Sequence, residues 1–255
     1  MTTLAVIPAR LGATRLPRKP LRLLAGAPLV VRVWERVTAL GVADRCIVAT
    51  DHPDIADALR AAGAEYALTA PRHPSGTDRV AEVAARPEFS GFDAILNVQG
   101  DEPFVSAEAL RGAVALVESG RFPLATAAAP AGPEILSAPD VVKVVCADDG
   151  RALYFSRAAI PYLRDEADSP ERNAVIRQHL GVYAYTRDAL AEWVALPTHP
   201  LERIERLEQL RPLAAGIPMG VALLHEALED TRGIDTEDDL ARANERWSHL
   251  TAGRS

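Results

Sequence analysis

Short apolar runs alternate with helical patterns through the first half of the chain. Leu4–Pro8, Cys46–Thr50, Tyr66–Thr69 and Ala94–Gln99 are continuous rather than alternating. Such runs predict strands covered on both faces. Between them, Pro28–Leu40, Asp54–Ala62 and Thr77–Ala85 predict helices. Leu29, Val33, Val37 and Leu40 share one helical face, Pro28 suits a first turn, and Gly41 and Gly63 suit helix stops. The β-α-β-α rhythm predicts a parallel sheet joined by right-handed crossovers.

The second half is less regular. Ser106–Ser119 predicts a helix, and Leu124–Ala129, Val141–Cys146 and Ala152–Phe155 predict strands. Asp148-Asp149-Gly150 predicts a hairpin turn between the last two. Leu180–Tyr185 predicts a strand in which Leu180, Val182 and Ala184 alternate against Gly181, Tyr183 and Tyr185. Leu201–Leu213 predicts one amphipathic helix, with Leu201, Ile204, Leu207 and Leu210 inward and the charges, Glu202 and Glu205 included, on a solvated face. Arg164–Asn173 is polar and predicts a flexible loop. Thr236–Trp247 predicts a last helix, capped by Thr236 with Asp239 in place of the capping-box Glu. No repeat or low-complexity linker interrupts the chain, so a single domain over 1–255 is expected, with a mainly parallel central sheet and a smaller mixed β subregion.

Composition narrows the function. At 255 residues and 48% hydrophobic the chain can bury a sizeable core, and no window approaches the ~20 apolar residues of a membrane span. Met1-Thr2-Thr3 runs into the first strand without a basic start, which predicts no secretory leader and a cytoplasmic protein. Cys46 and Cys146 sit in apolar runs and lack metal-ligand spacing, so they read as inert core thiols. With 28 Lys+Arg against 35 Asp+Glu the net charge is −7, which argues against a nucleic-acid binder.

Against that acidic background one basic loop stands out. Pro8-Ala9-Arg10-Leu11-Gly12-Ala13-Thr14-Arg15-Leu16-Pro17-Arg18-Lys19-Pro20 follows the first strand. Ligands in open α/β sheets sit outside the carboxyl ends of strands, so Arg10, Arg15, Arg18 and Lys19 suit a polyanion such as a nucleotide triphosphate. The loop is not a P-loop, because only Gly12 is present. Nor does a Gly-x-Gly-x-x-Gly turn follow the strand, which argues against a dinucleotide-binding dehydrogenase.

Four further segments carry candidate chemistry. Asn97-Val98-Gln99-Gly100-Asp101-Glu102-Pro103 ends a strand, where Asp101 can offer an oxygen to Mg²⁺ or serve only as a turn residue. His73-Pro74-Ser75-Gly76-Thr77-Asp78-Arg79 leads into a helix, where Ser75 or Thr77 can cap and free N–H groups can meet a ligand. Glu208 and Gln209 close the 201–213 pattern and can line a cleft. In Thr231-Arg232-Gly233-Ile234-Asp235-Thr236, Asp235 suits the start of a helix on electrostatic grounds alone.

Taken in order, these segments resemble the 3-deoxy-manno-octulosonate (Kdo) cytidylyltransferases. The resemblance rests on Pro-Ala-Arg-x-x-x-Thr-Arg-Leu-Pro-x-Lys-Pro, Ala-Thr-Asp, His-x-Ser-Gly-Thr and Asn-Val-Gln-Gly-Asp-Glu-Pro. It continues with Val142–Val145, Ala152–Arg157, Ile160-Pro161, His179–Tyr183, Leu-Glu-Gln-Leu-Arg and Gly-Ile-Asp-Thr, from Leu4 to about Asn244. Pro74, Asp78 and Asp140 depart from the usual pattern. The resemblance implies a three-layer α/β/α nucleotide-diphospho-sugar-transferase-like fold. It implies a nucleotide-binding half near 1–120 and a sugar-binding, dimerising half near 121–255. It also implies transfer of CMP from CTP to Kdo with release of pyrophosphate, Mg²⁺ as cofactor, a homodimer and a product for lipopolysaccharide assembly. Carried over residue by residue, Arg10, Lys19, Asp101 and Asp235 would be catalytic, and Asp101 and Asp235 would bind the metal. Ala9, Arg10, Arg15, Lys19, Ser75, Gly76 and Gln99 would bind CTP. Arg79, Gln99, Arg164, His179, Tyr185, Glu208 and Gln209 would bind Kdo, although without the resemblance a lone His179 reads as a satisfied core histidine, and only the motif match reverses that. Rival readings are a cytidylyltransferase for 8-amino-Kdo or sialic acid, and a non-catalytic nucleotide-binding protein on the same fold.

Overall fold

In the computed structural model, which describes residues 1–12, 15–228 and 233–252, Leu4, Ala5, Val6 and Ile7 are wholly buried. They lie on β1 (Thr3–Ala9), and a strand covered on both faces has no polar side to show. Burial of each large aliphatic side chain contributes about 1.5–3 kcal/mol. A small antiparallel hairpin follows, β2 (Leu23–Leu24) and β3 (Ala27–Pro28), so helix α1 begins at Leu29 and runs to Leu40 rather than starting at Pro28. Next come β4 (Arg45–Thr50), α2 (Pro53–Ala61), β5 (Tyr66–Leu68) and α3 (Gly76–Ala84). β1 pairs in parallel with β4, and β4 in parallel with β5, as the alternating rhythm predicts. Gly41 and Gly63 end the first two helices at φ of 59° and 71°, the left-handed region that L side chains avoid.

The chain divides into two compact units. The first holds Thr2–Phe92, Asn97–Val105 and the described residues from 233 on. The second holds Asp93–Leu96 and residues 106–228.

In the second unit, β6 (Ala94–Asn97, its last residue belonging to the first unit) is followed by α4 (Ala107–Glu118), β7 (Leu124–Pro130), β8 (Lys143–Cys146) and β9 (Ala152–Ser156). Then come α5 (Ser169–Ala174), β10 (Arg177–Thr186), α6 (Arg187–Ala195), α7 (Pro200–Glu205), α8 (Leu210–Ala214) and β11 (Met219–Leu223). The strand order is β11-β7-β10-β6, with β8 and β9 branching from β10. β11 runs parallel to β7, whereas β10 is antiparallel to it, which makes this unit the mixed part of the sheet. β8 and β9 form the expected hairpin through Gly150. α4 packs across β7, β10 and β11.

Three expectations for this unit are corrected. The polar 164–173 stretch is ordered into a 3₁₀ turn, Glu166–Asp168, and α5, with Asp165 capping through the Ala167 N–H. The alternation along β10 does not separate a wet face from a dry one: Leu180, Val182, Tyr183, Ala184 and Tyr185 are all buried, because a bulge lies between Leu180 and Tyr183 and both faces are covered. The 201–213 pattern is two short helices, not one. Arg206 adopts φ 55°, which ends α7 and changes the direction of the chain. Leu207 and Leu210 remain buried, but Ile204 is 78% exposed.

The same break moves charge inward. Glu202 caps α7 together with His199 and then receives Arg211 through both carboxylate oxygens, at 2.8 and 2.6 Å. Glu205 accepts from Ser156 Oγ at 2.7 Å and from the Arg157 N–H at 3.0 Å. Lys143, fully buried, donates to the carbonyls of Ala138, Val141 and Arg157, which fill its three donor sites.

Cys46 and Cys146 are free and half-buried rather than deep in the core. Burial pushes their thiols up to about 12 and about 11, so both are inert, as expected.

The last helix, α9 (Glu237–Ala252), belongs to the first unit. Thr236 and Asp239 form the expected reciprocal cap. Trp247 lies under the Arg32 guanidinium and beside Phe104, and Asn244 accepts from the Ala25 N–H.

Arg211→Ala would leave the Glu202 carboxylate buried without its cation. We expect a loss of about 3–5 kcal/mol in denaturant unfolding, with much of it recovered when Glu202→Leu and Arg211→Leu are combined.

Candidate active site

The carboxyl end of β1 is held by close backbone packing. A Cβ on Gly100 would lie 2.7 Å from the Pro8 carbonyl oxygen, and one on Gly76 would lie 3.3 Å from the Pro8 ring. Pro8 therefore joins the two segments singled out by their Gly-Asp and Ser-Gly pairs. Beyond it Ala9 is buried, while Arg10 is exposed. Ala13 and Thr14, in the middle of the basic loop, lie outside the described residues, as do Thr231 and Arg232.

The loop then delivers Lys19 to two carboxylates. Arg18 adopts φ 56°, and Lys19 begins a 3₁₀ turn. Lys19 Nζ lies 2.5 Å from Asp101 Oδ2 and 2.9 Å from Asp235 Oδ1. Arg15, with its side chain 68% exposed, reaches Asp235 Oδ2 at 2.7 Å. Asp101 is supplied by the turn after β6, and its carbonyl accepts the Ile234 N–H at 3.0 Å. Gly233 allows that approach, since a Cβ there would sit 3.2 Å from the Asp101 carboxyl carbon. Asp235 is held by its own N–H, which donates to Asp239 Oδ2 at 3.1 Å. Arg22 grips Glu237, at the start of α9, through two bonds of 2.5 and 2.7 Å.

Burial alone would lower the Lys19 pKa, but Asp101 and Asp235 outweigh it and hold the ammonium above its ordinary value. Glu102, next to Asp101, behaves oppositely. Burial, then repulsion from Asp101, push its carboxyl up to about 8 against the pull of Lys19, so it is protonated at neutral pH. Sequence reasoning passed over Glu102. Its place beside a second acid at a strand end was the available signal.

The Ser-Gly turn is as expected at its cap: Ser75 Oγ accepts from the Asp78 N–H at 3.2 Å. Arg79, expected in sugar binding, is enclosed by protein partners. It is 2% exposed, bonded to Thr69 Oγ1 and 3.4 Å from Asp51, because it faces inward from α3. Gln99 is half-buried, and its carbonyl accepts the Glu102 N–H at 3.2 Å.

The other expected sugar-binding residues lie in the second unit. His179 Nε2 is 2.9 Å from Thr126 Oγ1, whose hydroxyl donates to the Val182 carbonyl at 2.7 Å. This arrangement assigns the proton to Nε2 and leaves Nδ1 as the acceptor. Burial lowers the His179 pKa to about 3, so the ring is neutral. Tyr185 is fully buried, with its ring against Tyr183 and Trp193, which places it in the core rather than on an open wall. Gln209 is 3% exposed at the start of α8, Glu208 is half-buried, and Arg164 is exposed.

Two carboxylates converging on one cation beside a basic loop suit a phosphate-bearing ligand and a hard metal. Comparison with known proteins points to the nucleotide. A family profile for cytidylyltransferases matches residues 4–223. The chain is 65% identical over 255 residues to the 3-deoxy-manno-octulosonate cytidylyltransferase of Gemmatimonas aurantiaca, spanning 100% of this chain and 98% of that one. It is 46% identical over 249 residues to the protein of the same name from Herminiimonas arsenicoxydans, spanning 95% and 97%. The solved structure of CMP:2-keto-3-deoxy-manno-octonic acid synthetase complexed with CTP superposes with a TM-score of 0.88 at 34% identity, over 98% of this chain and 100% of that one. A 4-diphosphocytidyl-2C-methyl-D-erythritol synthase from Anaerococcus prevotii, at 15% identity and a TM-score of 0.62, shares the fold alone. The chain is thus a nucleotidyltransferase of the cytidylyltransferase family, with the expected nucleotide-sugar-transferase-like α/β fold. Within that family it belongs with the 3-deoxy-manno-octulosonate cytidylyltransferases.

Gly100→Ala would force its Cβ into the Pro8 carbonyl and displace the Asp101 turn. We expect destabilisation of about 1–3 kcal/mol in thermal unfolding, together with weaker CTP binding by calorimetry.

Proposed function

We propose that this protein transfers CMP from CTP to Kdo, giving CMP-Kdo and pyrophosphate for lipopolysaccharide assembly. The observation that carries this reading is the full-length 65% identity to a protein of that name. Lys19, Asp101 and Asp235, gathered within hydrogen-bonding distance, support it.

The anomeric hydroxyl of the sugar attacks the α-phosphorus in line, a new P–O bond forms, and pyrophosphate departs. Such transfer is mainly a matter of positioning and charge stabilisation, so no protein nucleophile is called for. Arg10, Arg15 and Lys19 hold the triphosphate and offset the charge that grows on the leaving group. Ser75 and Gly76 hold the cytosine, and Gln99 stands between nucleotide and sugar. His179, Glu208, Gln209 and Arg164 hold the sugar, His179 as a neutral partner offering Nδ1. Tyr185 supports them from the core.

Mg²⁺ fits Asp101 and Asp235. Their carboxylates already converge on a cation, the Lys19 ammonium. Among the described residues no set of three or more His, Cys, Asp or Glu side chains forms a closed metal cage. Two carboxylates with the remaining positions left to phosphate oxygens and water is the usual Mg²⁺ arrangement. When bound, the ion neutralises phosphate charge and lowers the pKa of the attacking hydroxyl.

We further propose a homodimer formed through the second unit, where Leu153, Tyr162, Val175 and Ile204 are 50%, 83%, 51% and 78% exposed. Among the described residues no helix is long and apolar enough to cross a membrane. A cytoplasmic location is part of the same proposal.

Pyrophosphate release should require CTP and Kdo when CTP, UTP, ATP and GTP are crossed against Kdo, 8-amino-Kdo and N-acetylneuraminate. Release with a different acid sugar would reassign the substrate, and silence from protein that still binds CTP would indicate a non-catalytic role. Asp101→Ala and Asp235→Ala should each lower kcat by ~10²–10³-fold, and near-normal turnover at saturating Mg²⁺ would remove their assigned role. Light scattering should show a dimer that the Leu153→Asp, Ile204→Asp double variant converts to a monomer.

A further inference from the structure

The segment between β5 and α3 carries the Ser75-Gly76 turn, and it is fastened to the helix that it enters. Glu82, on α3, accepts the Ala70 N–H at 2.8 Å and lies 2.5 Å from His73 Nε2. Arg86, one turn further along, donates to the other Glu82 oxygen at 2.9 Å and to the Leu68 carbonyl. The side chains of His73, Glu82 and Arg86 are 18%, 30% and 27% exposed. Residues 70 and 73 are thus tied to α3 and residue 68 to Arg86 just beyond its end, and Pro71 and Pro74 restrict the remaining backbone torsions.

Burial alone would raise the Glu82 pKa, but the Ala70 N–H, His73 and Arg86 bring it down to about 2. The Glu82 carboxylate is therefore charged at neutral pH. At the far end of the segment Gly76 packs close to the Pro8 ring, where an added Cβ would lie 3.3 Å from a ring carbon. A loop so fastened presents Ser75 and Gly76 in one position, without the ordering cost a free loop would incur on binding.

We propose that Glu82 is a positioning residue for nucleotide-base recognition, holding the Ser75-Gly76 turn through Ala70 and His73. The proposal rests on the reading of that turn as the cytosine pocket. It assigns Glu82 no contact with substrate. A purely architectural glutamate would affect folding or every kinetic parameter alike, whereas a positioning residue for the base should affect CTP selectively.

The test uses the full chain as wild type, Glu82→Gln and His73→Ala, with pyrophosphate release measured while CTP and Kdo are varied in turn. Glu82→Gln keeps the shape but presents an amide to His73 and Arg86. It should raise KM for CTP about tenfold or more and reduce the preference for CTP over UTP, with KM for Kdo changed less than twofold. His73→Ala removes one anchor and leaves two, so it should move the same parameters in the same direction by less. If Glu82→Gln does not fold, His73→Ala decides alone. Unchanged KM for CTP and unchanged CTP/UTP preference in the folded variants would overturn the proposal, and so would a change confined to Kdo. If the wild type does not turn over CTP and Kdo, the activity reading fails separately. Calorimetric CTP binding, weaker in the variants or not, then decides the role of Glu82.

Discussion

The ammonium of Lys19 ties together parts of the chain that lie 82 and 216 residues away from it. Two carboxylates this close repel one another unless a cation stands between them. Lys19 meets that need, and its own charge is secured by the same contacts. The rest of the first unit is arranged around this requirement. β1 ends at Ala9, Lys19 opens a 3₁₀ turn, and α9 is strapped down through Glu237, Asn244 and Trp247 so that Asp235 arrives.

Close backbone approach gives the site its shape. Pro8 lies against the positions of Gly76 and Gly100, so a strand end, a helix start and the acidic turn share one wall, with no room for a Cβ at Gly100 and little at Gly76. Preorganised charge is most effective when its supports cannot relax. The staple from Glu82 extends that rigidity to the segment leading into Ser75.

The second unit handles charge by enclosure. Glu202 with Arg211, Glu205 with Ser156 and Arg157, and Lys143 with three carbonyls are each satisfied locally. Buried pairs of this kind are weak sources of net stability but costly to break, so they define the course of the 199–213 segment rather than strengthen it. His179 is likewise kept neutral and oriented, its ring held by Thr126 and edged by Phe155.

Much of this was legible in the chain. The continuous apolar runs identified parallel strands, because a strand buried on both faces has no polar side, and Pro28, Gly41 and Gly63 marked helix limits through local backbone preference. The motifs pointed to the family because a nucleotide site needs the same residue types at the same strand ends. What local pattern could not decide was set by long-range contact. The left-handed turn at Arg206 split an apparently continuous amphipathic pattern and buried Glu202, since Arg211 was available to pair with it. Arg79 was drawn inward to Asp51 and Thr69, and Tyr185 was enclosed between Tyr183 and Trp193. Residue type sets which partners a side chain can take, but only the tertiary structure brings one partner within reach and removes the water that competes with it.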